Sequence, residues 1–166
     1  RLLGVEKDTE QRYKGERSWD FDTTAQGWRY HMSNIMAVIG FEQLKRLPEF
    51  ANKRRQLAIQ YDHLFSDHPI IKPLPRDYDT IVPHIYVVRI YGIKNRKQVQ
   101  QKLLEKGFQV GYHYQPNHWL SIFKDDKQNP LPVTDAVYSE LLSLPLHPDL
   151  SESDVEYIAS ELKNLF

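Results

Sequence analysis

Residues 1–32 scatter the aromatics Tyr13, Trp19, Phe21, Trp28 and Tyr30 among polar neighbours, with no lasting period of 3.6 or 2 beyond one short turn near Asp8 to Tyr13. A stretch this aromatic does not read as disorder; it reads as an arm lying against another surface, of the same chain or of a second subunit. From Ser33 the pattern changes. Ser33 is an expected N-cap, and Ile35, Met36, Ala37, Val38, Ile39 and Phe41 make an almost wholly apolar helix expected to be buried on most sides. Pro48 suits the first turn of a second helix. Its apolar residues Leu47, Phe50, Ala51, Leu57, Ala58, Tyr61, Leu64 and Phe65 recur at spacings of three, four and seven, with Lys53, Arg54 and Arg55 mainly on the other side. This second helix ends near Ser66.

The segment from Pro69 to Pro83, which also holds Pro73 and Pro75, predicts an extended connection. His84 to Ile90 is β-branched and aromatic, which predicts a strand. Asn95 caps a helix carrying Val99, Leu103 and Leu104, and Gly107 supplies its stop. Phe108 to Tyr114 reads as the next strand, 115–132 as irregular loop or short turns, and Thr134 to Leu142 as a short helix. Ser151 and Asp154 form a capping box that opens a last helix, with Val155, Ile158, Ala159, Leu162 and Leu165 on one face. The pattern predicts a long helical lead (33–67, after the 1–32 arm) followed over 68–166 by a small α/β domain in the order β-α-β-α-α, its small sheet covered by helices.

At 166 residues the chain is about one domain plus an extension. Lys+Arg and Asp+Glu both number 22, and this balance argues against nucleic acid or an anionic membrane surface as the main partner. There is no cysteine, so disulfide, thiolate and zinc-finger chemistry are excluded and a reducing compartment is compatible. No apolar run approaches the ~18 residues that would suggest a membrane span, and the basic-then-apolar layout of a secretion signal is missing at the N-terminus. The expected location is cytoplasmic. Arg rather than Met at position 1 suggests a piece of something longer.

Seven histidines invite a metal reading. His113 and His118 lie five apart across a proline turn, and His84 starts a strand that could neighbour theirs. Zinc sites usually show tighter pairs or a Cys partner, so the expectation is no metal. No nucleophile elbow, P-loop or dinucleotide fingerprint occurs, and no catalytic residue is assigned. Two segments look over-specified for packing alone. In Gly27-Trp-Arg-Tyr-His-Met-Ser33, Arg29 and His31 stand just before a helix N-terminus, where a cation opposes the dipole unless an anion such as phosphate shares the spot. A solvated loop arginine is the plain alternative. Gly111-Tyr-His-Tyr-Gln-Pro-Asn-His118 is the second, a polar-aromatic loop of the kind that carries function, although Tyr and His also serve as half-buried packing.

At these residues the sequence resembles a family. Residues 27–44 are similar to the stretch G-Y-N-Y-R-M-S-E-I-Q-A-A-I-G-L-x-Q-L of the DegT/DnrJ/EryC1/StrS pyridoxal-phosphate sugar aminotransferases. The likeness continues through Leu47-Pro-Glu-Phe50, Arg54-Arg55, His84 to Val88, Leu104 to His118 and Leu144 to Val155. It covers the C-terminal part of that family, the small domain of a fold-type-I aminotransferase. The family's cofactor lysine, which precedes a Gly-Glu-Gly-Gly segment, has no counterpart: Lys7 and Lys14 lack those flanks.

The resemblance implies that Arg29 and His31 reach across a dimer interface to the neighbour's cofactor phosphate. Arg29 departs from the commoner Asn, Asn34 from an acidic residue and Met36 from Gln. His113, Tyr114 and His118 match the loop bordering the nucleotide-sugar pocket. The implied parent moves an amino group from glutamate to a nucleotide-linked keto sugar, with pyridoxal phosphate held by a large cofactor-binding domain, as a homodimer without nucleic-acid or membrane partners. The chain alone is expected to be inactive. Its alternatives are a non-catalytic interaction or regulatory module, a half completed by a separately made large domain, or part of a pyridoxal-phosphate sugar dehydratase of the same superfamily. An RNA-binding module is disfavoured by the neutral charge and the missing aromatic-basic strand signature.

Overall fold

The computed structural model describes residues 32–123 and 131–166. The chain divides into two compact units, residues 1–45 and 46–166. The described part of the first opens helix α1, Asn34–Phe65, whose later turns belong to the second unit. Ser33 caps it as expected: its hydroxyl accepts the Met36 N–H at 3.3 Å, and its carbonyl accepts the Ala37 N–H at 2.9 Å. The burial expected on most sides is not supplied by the described residues. Ile35 is 75% exposed, and Met36, Val38, Ile39, Phe41 and Leu44 are exposed as well. An apolar pattern states which surface requires cover; among the described residues none supplies it.

Pro48 does not start a second helix. It lies inside α1, which runs on for 32 residues. Proline removes one N–H and crowds the carbonyl four residues back, a local cost of about 3 kcal/mol that the packing downstream outweighs. That packing is the predicted stripe: Ala51, Leu57, Ala58, Tyr61 and Phe65 are buried. Two of the arginines placed on the opposite side of the helix are structural. Arg54 Nη1 donates to the carbonyls of His84 (3.1 Å) and Leu146 (2.9 Å), and Arg55 Nε donates to that of Ile81 (3.0 Å).

In the second unit α1 is followed by β1 (Ile71–Pro73), β2 (Tyr86–Ile90), α2 (Arg96–Glu105), two single-turn helices at Asn117–Trp119 and Ser121–Phe123, α3 (Pro132–Glu140), β3 (Leu141–Leu144) and α4 (Glu152–Lys163). The sheet is antiparallel in the order β1-β2-β3, with Ile71 opposite Ile90 and Tyr86 opposite Leu144. One face carries Tyr86, Val88, Ile90, Leu142 and Leu144 into a core shared with α1, α2 and α4. Each fully buried aliphatic side chain there contributes roughly 1.5–3 kcal/mol. Val87 and Ser143, paired across the ladder, take the other face.

The predicted α/β small domain stands, but its order is corrected. Residues 108–114 do not form a strand: Gly111 alone bridges Ser143, through N–H···O contacts of 3.0 and 2.6 Å. The chain leaves the ladder at Tyr112, whose ring packs against Arg96 and Tyr138. The third strand comes instead from residues 141–144, half of which the pattern assigned to the end of the preceding helix. Their alternation buries Leu142 and Leu144 against the core, and this long-range pairing overrides local helix propensity. The capping box is present as read: Ser151 Oγ accepts the Asp154 N–H at 3.1 Å, and the Asp154 carboxylate accepts the Ser151 N–H at 2.8 Å.

Candidate functional site

The candidate loop is held at its start by the end of α2. Asn95 caps that helix, accepting the Gln98 N–H at 3.0 Å, and Gly107, at φ +94°, ends it in a conformation that side chains rarely adopt. Gln100 Nε2 then donates to the Val110 carbonyl at 2.8 Å, so Val110 is anchored in the core and Gly111 reaches β3. The His113 ring folds back over Gly111; a Cβ on Gly111 would stand 3.3 Å from the His113 Cε1. His113 and His84 line a shared cavity of about 340 Å³ with Gln109, Gly111, Ser143 and Leu146. The hydroxyl of Ser143 is buried and lacks a hydrogen-bond partner among the described residues.

Beyond Gly111 the loop is pinned at two places to α3. The Arg96 guanidinium lies between the rings of Tyr112 (4.0 Å) and Tyr138 (4.4 Å). It also donates to the carbonyls of Tyr138 and, at 3.1 Å, Leu141, placing a cation on the C-terminal end of α3. Further on, one oxygen of Asp135 accepts the ring N–H groups of both His118 (Nε2, 2.7 Å) and Trp119 (Nε1, 2.8 Å). Trp119 meets Tyr138 edge-on at 5.2 Å. The last turn of α3 is tied down by Glu140, which accepts the Gly92 N–H at 3.1 Å and Arg89 Nε at 2.7 Å. These two donors, the Gly92 N–H first, hold the Glu140 carboxyl below the ordinary carboxylate range.

Three of the five sequence-assigned residues therefore sit on one buttressed loop, in different settings. His113 faces the cavity. Tyr114 is 73% exposed, its ring edge-on to His113 at 4.9 Å, and it does not line the cavity. The His118 side chain is only 13% exposed and engaged by Asp135. Arg29 and His31 lie outside the described residues, as do Lys7 and Lys14.

Sequence reasoning missed Asp135, Arg96 and Tyr138. The i,i+3 spacing of Asp135 and Tyr138 put both on one face of a helix, but nothing local signalled what they face. No described lysine is buried. A lysine that forms a Schiff base at neutral pH needs a desolvated or charge-perturbed setting, so the described residues do not fit a covalent cofactor anchor. Among the described residues no cluster of three histidine or acidic side chains suits a metal ion.

A model of the DegT/DnrJ/EryC1/StrS aminotransferase family matches residues 1–163. The chain is 36% identical over 149 residues to a dTDP-4-dehydro-2,3,6-trideoxy-D-glucose 4-aminotransferase of Saccharopolyspora spinosa, covering 89% of this chain and 38% of that one. It is 27% identical to a UDP-4-amino-4,6-dideoxy-N-acetyl-beta-L-altrosamine transaminase of Campylobacter jejuni, covering 89% and 40%. Its structure is similar to that of the aminotransferase TlmJ from Streptoalloteichus hindustanus, with a TM-score of 0.75 at 31% identity over 98% of this chain and 41% of that one. The chain thus spans about two fifths of the length of the relatives it matches.

Proposed function

This chain belongs to the DegT/DnrJ/EryC1/StrS aminotransferase family, and we propose that it forms the C-terminal small domain of a pyridoxal-phosphate-dependent nucleotide-sugar aminotransferase. The observation that carries the reading is the family match over residues 1–163, joined to a fold shared with a solved aminotransferase over nearly the whole chain. In this reading residues 1–32 are an interface arm, 33–67 a link built on the single helix α1 and 68–166 the small domain. The substrate is a keto sugar linked to a nucleoside diphosphate, the class that the names of the two curated relatives describe, with glutamate as amino donor.

The cofactor supplies the electron sink for amino transfer and is anchored by a large domain. Arg29 and His31 hold its phosphate from the neighbouring subunit of a homodimer, and a guanidinium suits that task through charge-assisted hydrogen bonds. His113, Tyr114 and His118 border the sugar-nucleotide pocket. The absence of a Gly-Glu-Gly-Gly-flanked lysine from these 166 residues, with no buried lysine among the described ones, supports a chain that does not turn over by itself. The complete enzyme is expected in the cytoplasm.

The test has two arms. Pyridoxal phosphate added to the chain, followed by borohydride reduction and peptide mapping, should give only scattered surface adducts; one stoichiometric adduct at Lys7 or Lys14 would overturn the missing anchor. Supplied with a cofactor-binding domain of the family, the chain should support glutamate-dependent amination of a dTDP- or UDP-linked keto sugar. If it binds such a domain and no amino transfer follows, the non-catalytic reading replaces this one.

A further inference from the structure

Asp135 is an acid in the first turn of α3, where it favours the helix dipole, yet its carboxylate is not spent on capping. One of its oxygens instead receives two aromatic N–H groups from consecutive residues of the Asn117–Trp119 turn, at 2.7 Å from His118 and 2.8 Å from Trp119. Both distances fall in the charge-assisted range. A carboxylate can only accept, so His118 must present a protonated Nε2, and a neutral imidazole with Nε2–H leaves Nδ1 as its acceptor. Nδ1 has no partner among the described residues. The second tie, Trp119 edge-on to Tyr138 one turn along the same helix, keeps the turn from swinging away from Asp135.

We infer that Asp135 is a positioning residue: it fixes the tautomer and orientation of the His118 ring and so selects Nδ1 as the atom that His118 offers to a bound ligand. This deepens the proposed function and rests on it for the identity of that ligand, the sugar-nucleotide. In the neutral ring Nδ1 accepts and does not donate, so in that form the ligand group it takes is a hydroxyl or an N–H rather than an ionised phosphate oxygen. Among the parts of a nucleotide-linked sugar, that selects sugar or ribose hydroxyls, or a base N–H.

The test is spectroscopic and uses the whole chain. In protein carrying ¹⁵N-histidine, long-range ¹H–¹⁵N spectra above the ordinary imidazole titration range should show His118, identified by its loss in His118→Gln, as one tautomer with Nε2 protonated. Asp135→Ala should let the two tautomers average, and Asp135→Asn, which keeps the size but not the charge, should move the Nε2–H proton upfield. Trp119→Phe removes the competing donor, keeps an aromatic ring facing Tyr138, and should leave the tautomer in place. An Nδ1–H tautomer in the parent chain overturns the inference, as do ring signals that Asp135→Ala leaves unmoved. Should Asp135→Ala fail to fold, the Asp135→Asn spectrum decides alone. In the completed enzyme Asp135→Asn should raise the sugar-nucleotide KM about tenfold, one charge-assisted alignment lost, with kcat little changed. An unchanged KM with the expected ring spectra defeats the pocket role of His118 and leaves its positioning intact. A raised KM with unmoved ring spectra does the reverse.

Discussion

Glu140 shows how one carboxylate can carry the acid sensitivity of a local structure. The Gly92 N–H and Arg89 hold its pKa below the ordinary value of 4.5. A carboxyl depressed in the folded state stabilises fully above its unfolded pKa and loses that contribution as pH falls through the folded one. The melting temperature of the chain should therefore fall as pH drops below about 4.5, and Glu140→Gln should flatten that fall while lowering the neutral-pH melting temperature by a few degrees. An acid limb as steep in Glu140→Gln as in the parent would remove Glu140 from the account. Legibility at this scale follows contact distance along the chain. The Ser33, Asn95 and Ser151 caps were readable because donor and acceptor lie three residues apart. Asp135 with His118, 17 positions away, and Arg54 with Leu146, 92 positions away, were not. A side chain's type fixes what it can bond, whereas its partner is chosen by the fold.

Among the elements, α1 departs most from its own composition. Its interior proline costs about 3 kcal/mol relative to alanine in an unstrained helix, and Pro48 lies at an exposed position where no packing depends on the ring. Pro48→Ala should stabilise the chain by about 1–3 kcal/mol, read from the denaturant midpoint, with more helical ellipticity. A loss of stability would mean that the helix breaks at Leu47–Pro48 in solution, as the sequence pattern suggested. Asn95→Ala should act in the opposite direction, costing α2 about 1 kcal/mol through its lost cap. Helical periodicity revealed α2, α4 and the two halves of α1, though not their continuity through Pro48, because a 3.6 period written over three turns is hard to counterfeit. The strands were harder. β1 has three residues, one of them proline, and β3 has four, so neither is long enough to establish a period of two. What makes 141–144 a strand is the open edge of β2 beside it, while Phe108 to Tyr114, with better strand composition, meets only β3, through the single Gly111 bridge to Ser143.

At the scale of the whole molecule, the first turns of α1 set the requirement. Ile35, Met36, Val38, Ile39, Phe41 and Leu44 point around most of the helix circumference, and all are exposed. A helix apolar on all sides is stable only when surrounded, so this stretch requires a covering surface that the described residues do not provide. The need for cover was legible from composition; the covering surface was not, since an apolar side chain carries no address. If the cover is a second copy, as the proposed homodimer demands, the chain should sediment as a dimer or larger species at micromolar concentration. Val38→Glu combined with Phe41→Glu places two charges in that surface and should shift the population to monomer. The same pair should leave the melting of 46–166 nearly unchanged, since neither residue belongs to its core. Association that persists in the double variant would move the contact elsewhere on the chain. A parent chain that is monomeric throughout, with the helix still formed by circular dichroism, would assign the cover to the large cofactor-binding domain instead of to another subunit.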